Sequence, residues 1–134
     1  MTASSDDFIV SLQIPGIMMD VASVALVVSD AKKAAKWYRD VLGWELRDDK
    51  KDWLTMSPKG EKLVFHLCEW EKLSGEREQM GNTGISFASK DVPKAERELR
   101  QKGVRITKPT TKEVWGTYAM FSDPDGNEFW IIDH

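Results

Sequence analysis

Residues 24–30 read VALVVSD and residues 85–91 read ISFASKD, and the fold turns on that recurrence. Each is an apolar, strand-like run closing on Asp, followed by a helically spaced stretch and then Gly. Asp30 and Asp91 lie 61 residues apart, and Gly43 and Gly103 lie 60 apart. A long unit present twice predicts two copies of one βα-containing module with a shared cleft between them.

Outward from Asp30 the local chemistry is consistent. Residues 21–28 are β-branched and apolar, as a strand buried on both faces requires. Asp30 sits where a helix N-cap belongs, its carboxylate able to accept from free first-turn amides. Ala34, Trp37, Tyr38, Val41 and Leu42 follow i, i+3, i+4, i+7, i+8 spacing, one stripe of an amphipathic helix. Gly43 supplies the left-handed position that ends it. Three short strands are predicted next, near 44–48, 53–57 and 62–68, the last two separated by the Pro58-Lys59-Gly60 turn.

The second copy repeats the order. A strand over 83–89 precedes the Asp91 cap, and Pro93 falls in the first turn, where its missing N–H costs nothing. Val92, Ala95 and Leu99 form the buried stripe, and Gly103 ends the helix. Strands are expected near 104–107, 114–122 and 127–132, the last pair joined by Asp123-Pro124-Asp125-Gly126-Asn127. The chain is thus divided into an arm (1–20) and two βαβββ modules, about 21–79 and 80–134, linked through a charged stretch at 69–82. The apolar residues 8–19 are too short to span a bilayer and read as an extra edge strand or an arm packed on a partner subunit, the alternative being a mobile tail.

Composition bounds the function. With 134 residues, 31% charged and a net charge of −3, the chain offers no Lys/Arg stripe for nucleic acid. One cysteine excludes an internal disulfide and fits a reducing, cytoplasmic compartment. Two histidines leave little for a His-rich metal site, whereas six tryptophans are an excess that needs a use.

A strand ending in Asp, then KWYRDVLGWEL at 36–46, then FSDPDGNEFWII at 121–132, resembles the vicinal oxygen chelate superfamily. That superfamily holds the glyoxalases, bleomycin resistance proteins and extradiol dioxygenases. The resemblance spans about residues 21–134. It implies an α+β fold in which two βαβββ modules form a curled mixed-sheet cup, with helices on the outer face and ligands on the concave faces. It also implies that metal-dependent members hold one divalent ion with four inward-facing side chains, a pair from each module.

Matched onto this chain, those positions are Ser23, His66, Gly84 and Trp130. Gly has no donor atom, Trp offers no usable lone pair, and Ser is a poor ligand for zinc, nickel or iron. A catalytic metal needs about three protein ligands and an open position, so the chain is expected to hold no metal and no cofactor.

What the cup retains is aromatic. Trp37 and Trp44 are expected in the core. Trp130 replaces a polar ligand, Trp115 and Tyr118 enter the penultimate strand, Trp53 occupies the matching strand of the first copy, and Trp70 follows His66 and Cys68. Flat aromatic faces stack on planar ligands. His66 can hydrogen-bond a ligand or act as a base. Cys68, two residues on along one strand, reads as a small filler rather than a nucleophile, and Glu128 shares the Trp130 face.

The ligand-binding set is therefore Ser23, Trp53, His66, Cys68, Trp115, Tyr118, Glu128 and Trp130, with catalytic residues unassigned. The expected function is metal-independent binding of an aromatic or amphipathic small molecule, in the manner of the bleomycin-resistance branch, sequestering a drug or metabolite. The alternative is a metal-dependent lyase, isomerase or dioxygenase, which the ligand-position chemistry disfavours. The expected assembly is a homodimer, acting without nucleic acid or membrane.

Overall fold

Asp30 and Asp91 cap their helices as their positions predict. In the computed structural model, which describes residues 16–50, 53–69 and 81–133, each carboxylate accepts from the amide three residues on, Lys33 or Lys94, at 3.0 Å. Helix α1 runs Ala31–Leu42 and ends on Gly43 at φ 71°. Helix α2 runs Val92–Gln101, with Pro93 in its first turn and Gly103 just beyond its end at φ 77°. L-residues resist that left-handed conformation, which is why glycine marks both exits.

Around them lie eight strands. The first module has β1 (Ser23–Val28), β2 (Glu45–Asp49), β3 (Trp53–Ser57) and β4 (Val64–Glu69), in sheet order β1-β4-β3-β2. The second has β5 (Asn82–Ser89), β6 (Arg105–Glu113), β7 (Gly116–Ser122) and β8 (Glu128–Asp133), in order β5-β8-β7-β6. The edge pairs β1/β4 and β5/β8 are parallel and the others antiparallel. The fold is α+β, two βαβββ modules with two separate four-stranded mixed sheets.

Strand alternation gives each sheet two unlike faces. On one, Leu26, Val28, Leu54, Met56, Phe65 and Leu67 pack under α1, while Ala119, Phe121, Phe129 and Ile131 pack under α2. Aromatic rings stitch these layers into one core: Tyr38 lies 6.3 Å from Phe129 and Trp44 lies 6.1 Å from Phe87, centroid to centroid. Trp44 is thus a core residue, as expected, and Trp37 packs edge-on against Tyr38.

The modules are also fastened by hydrogen bonds on this helix side. The Tyr38 hydroxyl donates to Asp123 Oδ2 at 2.7 Å, and Asn127 Nδ2 donates both to Asp123 and to the Val27 carbonyl. Asp123 accepts further from the amides of Asp125 and Asn127. The Ser29 amide donates to Asp125, and Lys102 Nζ to the Asp40 carbonyl. Burial, with the Asp123 carboxylate close by, raises the Tyr38 hydroxyl well above its ordinary range. Burial likewise pushes the Asp123 carboxyl up, against hydrogen bonds from Tyr38 and Asn127 that pull it down.

Three details differ from the sequence expectations. Strand β6 extends to Glu113 rather than stopping near 107; as an edge strand bonded only to β7, it tolerates Pro109 and a polar run. Trp115 is not in a strand: with Val114 it forms the two-residue turn between β6 and β7, where Glu113 pairs with Gly116. The DPDGN turn does more than reverse the chain, because it fastens the modules. Most of the 1–20 arm, most of the 69–82 linker and Trp70 lie outside the described residues.

Candidate functional site

The faces turned away from the helices carry the predicted site residues. In the first module, alternation puts Ser23, Ala25 and Val27 of β1, Trp53, Thr55 and Ser57 of β3, and Val64, His66 and Cys68 of β4 on one face. Ser23 and Ala25 are exposed, His66 is half-buried and Trp53 is 39% exposed. His66 sits in the middle of β4, opposite Thr55 on one side and Ala25 on the other.

Trp53 lies diagonally across the β3–β4 ladder from His66, with ring centroids 5.0 Å apart and planes at 43°. Its indole N–H donates to His66 Nδ1 at 3.1 Å. The Thr55 hydroxyl is 2.9 Å from the same nitrogen. Cys68 shares the face but is buried, and burial pushes its thiol up, away from the nucleophilic thiolate.

The second module builds the same diagonal. Tyr118 of β7 and Trp130 of β8 have centroids 5.0 Å apart and planes at 37°. From the turn, Trp115 stacks on Tyr118 at 5.3 Å, so the three rings form a continuous surface despite the misplaced strand end. Trp115 is 57% exposed. Glu128 lies on this face at the start of β8, as expected.

Asn82 orients Trp130. Strand β5 slips register between Asn82 and Ser86, a bulge in which Gly84 takes φ 74°. There the Asn82 side chain accepts from the Gly84 amide at 2.8 Å and from Trp130 Nε1 at 3.2 Å. Neither Asn82 nor Thr55 figures among the sequence-predicted site residues. Alternation from Trp53 points to Thr55, and Asn-x-Gly inside a strand is the signal of a bulge.

The predicted residues therefore fall into two groups. Ser23, Trp53, His66 and Cys68 share one face; Trp115, Tyr118, Glu128 and Trp130 share the other. Among the described residues, the hydrogen bonds and ring contacts that cross between modules are those of the helix side. Among the described residues no such contact joins the two open faces, so within them the shared cleft that the repeat suggested is not closed.

A groove of about 570 Å³ does lie between the modules, on the helix side, lined by Leu42, Trp44, Phe87, Leu99 and Lys102 among others. It is a weaker candidate. Trp44 is 4% exposed and belongs to the core, and Lys102 is engaged by Asp40, so the groove offers little free stacking surface.

The four chelate positions do not fit a divalent ion. Ser23 offers a weak hydroxyl, Gly84 no donor atom and a left-handed backbone, and Trp130 an N–H already given to Asn82. Among the described residues no cluster of three or more His, Cys, Asp or Glu side chains is placed to hold a metal ion.

A family model matches residues 20–131, a span that takes in both βαβββ modules. The chain belongs to the Glyoxalase/Bleomycin resistance protein/Dioxygenase superfamily. A superfamily member from Sphaerobacter thermophilus DSM 20745 is similar in structure, with TM-score 0.78 and 32% identity over 87% of this chain and 98% of that one. TnmS3, an antibiotic binding protein from Streptomyces sp. CB03234, superposes with TM-score 0.75 and 28% identity over 89% and 98% of the two chains. By sequence, the chain is 26% identical to the uncharacterized protein YetH of Bacillus subtilis (strain 168), over 86% of this chain and 98% of that protein. One superfamily scaffold serves several chemistries, so the site must decide the function.

Proposed function

We propose that this superfamily member is a metal-independent binding protein for a planar aromatic or amphipathic small molecule, which it sequesters. The observation that carries the reading is the pair of repeat-related ring couples, Trp53–His66 and Tyr118–Trp130, each 5.0 Å between centroids and each on a face turned away from the core. Such rings add about 0.5–1.5 kcal/mol per stacked pair beyond area burial. The mismatch between the chelate positions and any divalent ion supports the same reading, as does the likeness to an antibiotic binding protein.

The pocket is completed by a second copy of the chain. The modules are fastened through their helix sides, which leaves the open faces without each other as walls. Trp53 and Trp115 are exposed there, and Ile17, Met18, Met19 and Val21 ahead of β1 are 76–95% exposed. Exposed large apolar side chains on the open faces and ahead of β1 support an interaction surface there. In a homodimer the first module of one copy faces the second module of the other. The partner is a small molecule, without nucleic acid or membrane; no helix among the described residues is long and apolar enough to cross one. The single cysteine, a buried free thiol, fits a cytoplasmic protein.

Titration with anthraquinone-2-sulfonate while following tryptophan fluorescence tests the pocket: saturable quenching is expected, weakened in Trp130→Ala. Stoichiometric, tight binding of zinc, nickel, manganese or iron(II) that is lost in His66→Ala would instead establish a metal-dependent lyase, isomerase or dioxygenase. Mixing Trp53→Ala and Trp130→Ala chains tests the assembly. If two chains share each pocket, the hybrid regains one intact site, and no recovery refutes the arrangement.

A further inference from the structure

We propose that His66 is locked as the neutral Nε2–H tautomer and acts as the hydrogen-bond donor of the pocket, which selects a planar ligand bearing an oxygen acceptor at its edge. The inference rests on the stacking pocket proposed above and adds the ligand's polar chemistry to it.

The lock follows from what each group is able to do. An indole N–H donates and never accepts. Trp53 Nε1 is 3.1 Å from His66 Nδ1, so Nδ1 contributes its lone pair and carries no proton. The Thr55 hydroxyl, 2.9 Å away, faces the same nitrogen and, able to donate or accept, does not oppose that assignment. Turning the imidazole over would put Cδ2 against the indole N–H and forfeit its hydrogen bond. A neutral imidazole has one donor and one acceptor, so the remaining proton sits on Nε2.

Among the described residues His66 Nε2 has no hydrogen-bond partner. The neighbour across the parallel β1–β4 ladder is Ala25, exposed and too short to cover the imidazole edge. The two tryptophans of the ring couples have already spent their N–H groups, Trp53 on His66 and Trp130 on Asn82. They present apolar faces alone. Tyr118 can donate or accept through its hydroxyl and so discriminates little. His66 in this tautomer only donates.

The ligand class follows. A ring carbonyl of a quinone or cyclic ketone, a phenolate or a ring carboxylate would accept from Nε2–H while its plane lies on the indole faces. A ring N–H or an ammonium group at that edge would meet another N–H head-on. The same lock disfavours metal ligation here, because a free Nε2 lone pair requires a proton on Nδ1, against the indole N–H of Trp53.

Two measurements test this. In full-length protein carrying His134→Gln, so that one histidine remains, the two-bond ¹H–¹⁵N spectrum of ¹⁵N-histidine should show Nε2 protonated and Nδ1 bare at neutral pH. Trp53→Phe should convert that pattern to a tautomer mixture. A wild-type spectrum with Nδ1 protonated overturns the proposal.

The second measurement compares anthraquinone-2-sulfonate with anthracene-2-sulfonate, which share the fused rings and the sulfonate and differ in the ring carbonyls. The quinone should bind about three- to tenfold more tightly, the range one net hydrogen bond supplies. His66→Phe should abolish that preference while both probes still quench, and His66→Gln, which retains an amide N–H, should restore part of it. An unchanged preference in His66→Phe overturns the donor role. Failure of both probes to quench the wild type overturns the stacking reading beneath it, and the tautomer spectrum then stands or falls separately.

Discussion

The two modules place their rings alike and equip them differently. Both set an aromatic couple on the same ladder diagonal at the same 5.0 Å spacing. In the first, the couple leans on an internal hydrogen bond from Trp53 to His66. In the second, the tryptophan occupies the His66-equivalent position and is steadied from outside the couple by Asn82, in a bulge the first sheet lacks at that strand. The turns before the last strands differ as well. Asp123 gathers four hydrogen bonds and ties the modules together, whereas Ser57, the residue before Pro58, is buried with no partner for its hydroxyl among the described residues. A duplicated backbone preserves geometry; single side chains decide which copy places a histidine in its ring couple and which fastens the molecule.

The largest expected effect breaks the contrast between the turns. Asp123→Ala removes the acceptor of four hydrogen bonds and strands the buried Tyr38 hydroxyl, so it should cost about 2–4 kcal/mol in urea unfolding. The same contact has a pH signature. Burial and the Asp123 carboxylate hold the folded-state pKa of Tyr38 well above the ordinary tyrosine range, so the unfolded chain loses that proton first. Its contribution to stability is therefore complete below about pH 10 and declines above it, by up to about 1.4 kcal/mol per pH unit. Tyr38→Phe should lose that component of the decline, read as the difference between the two chains' alkaline unfolding profiles.

The ring couples come next. Trp130→Ala should weaken anthraquinone-2-sulfonate binding about tenfold, from one lost stacking partner and its buried area. Asn82→Ala should weaken it less, since the ring remains and only its anchor goes. Equal losses would mean that orientation, not area, dominates the second face.

At the repeat-related positions Ser23 and Gly84 the contrast is conformational. Gly84→Ala should cost about 1–2 kcal/mol by thermal unfolding, because φ 74° is unfavourable for an L-residue although nothing crowds the new Cβ. Ser23→Ala, on an exposed strand position, should leave the unfolding midpoint in place. Ser57→Ala is likewise small, expected within about 0.5 kcal/mol of the wild type, since no hydrogen bond is lost. A cost above 2 kcal/mol there would reveal a partner equivalent to that of Asp123.

Much of the scaffold was legible because it is local. Asp30 and Asp91 reach amides three residues away, the helix stripes repeat every turn, and the left-handed exits need only a glycine. The site was legible in part. Period-two alternation correctly grouped Cys68 with His66 and Glu128 with Trp130. It failed for Trp115, because Val114 continues an apolar pattern through what is a two-residue turn, and for β6, because an edge strand needs no apolar face.

By itself, then, the sequence determined the two βαβββ modules, their caps and the absence of ligand-type residues at Gly84 and Trp130, all properties of residue identity or of neighbours within one turn. Only the tertiary structure decided that the modules are joined through their helix sides, that Asp123 meets Tyr38 across 85 positions, and that the Trp53 indole N–H meets His66 Nδ1. Those depend on register and on module packing. Both are set by contacts between residues far apart in the chain, which no local pattern records.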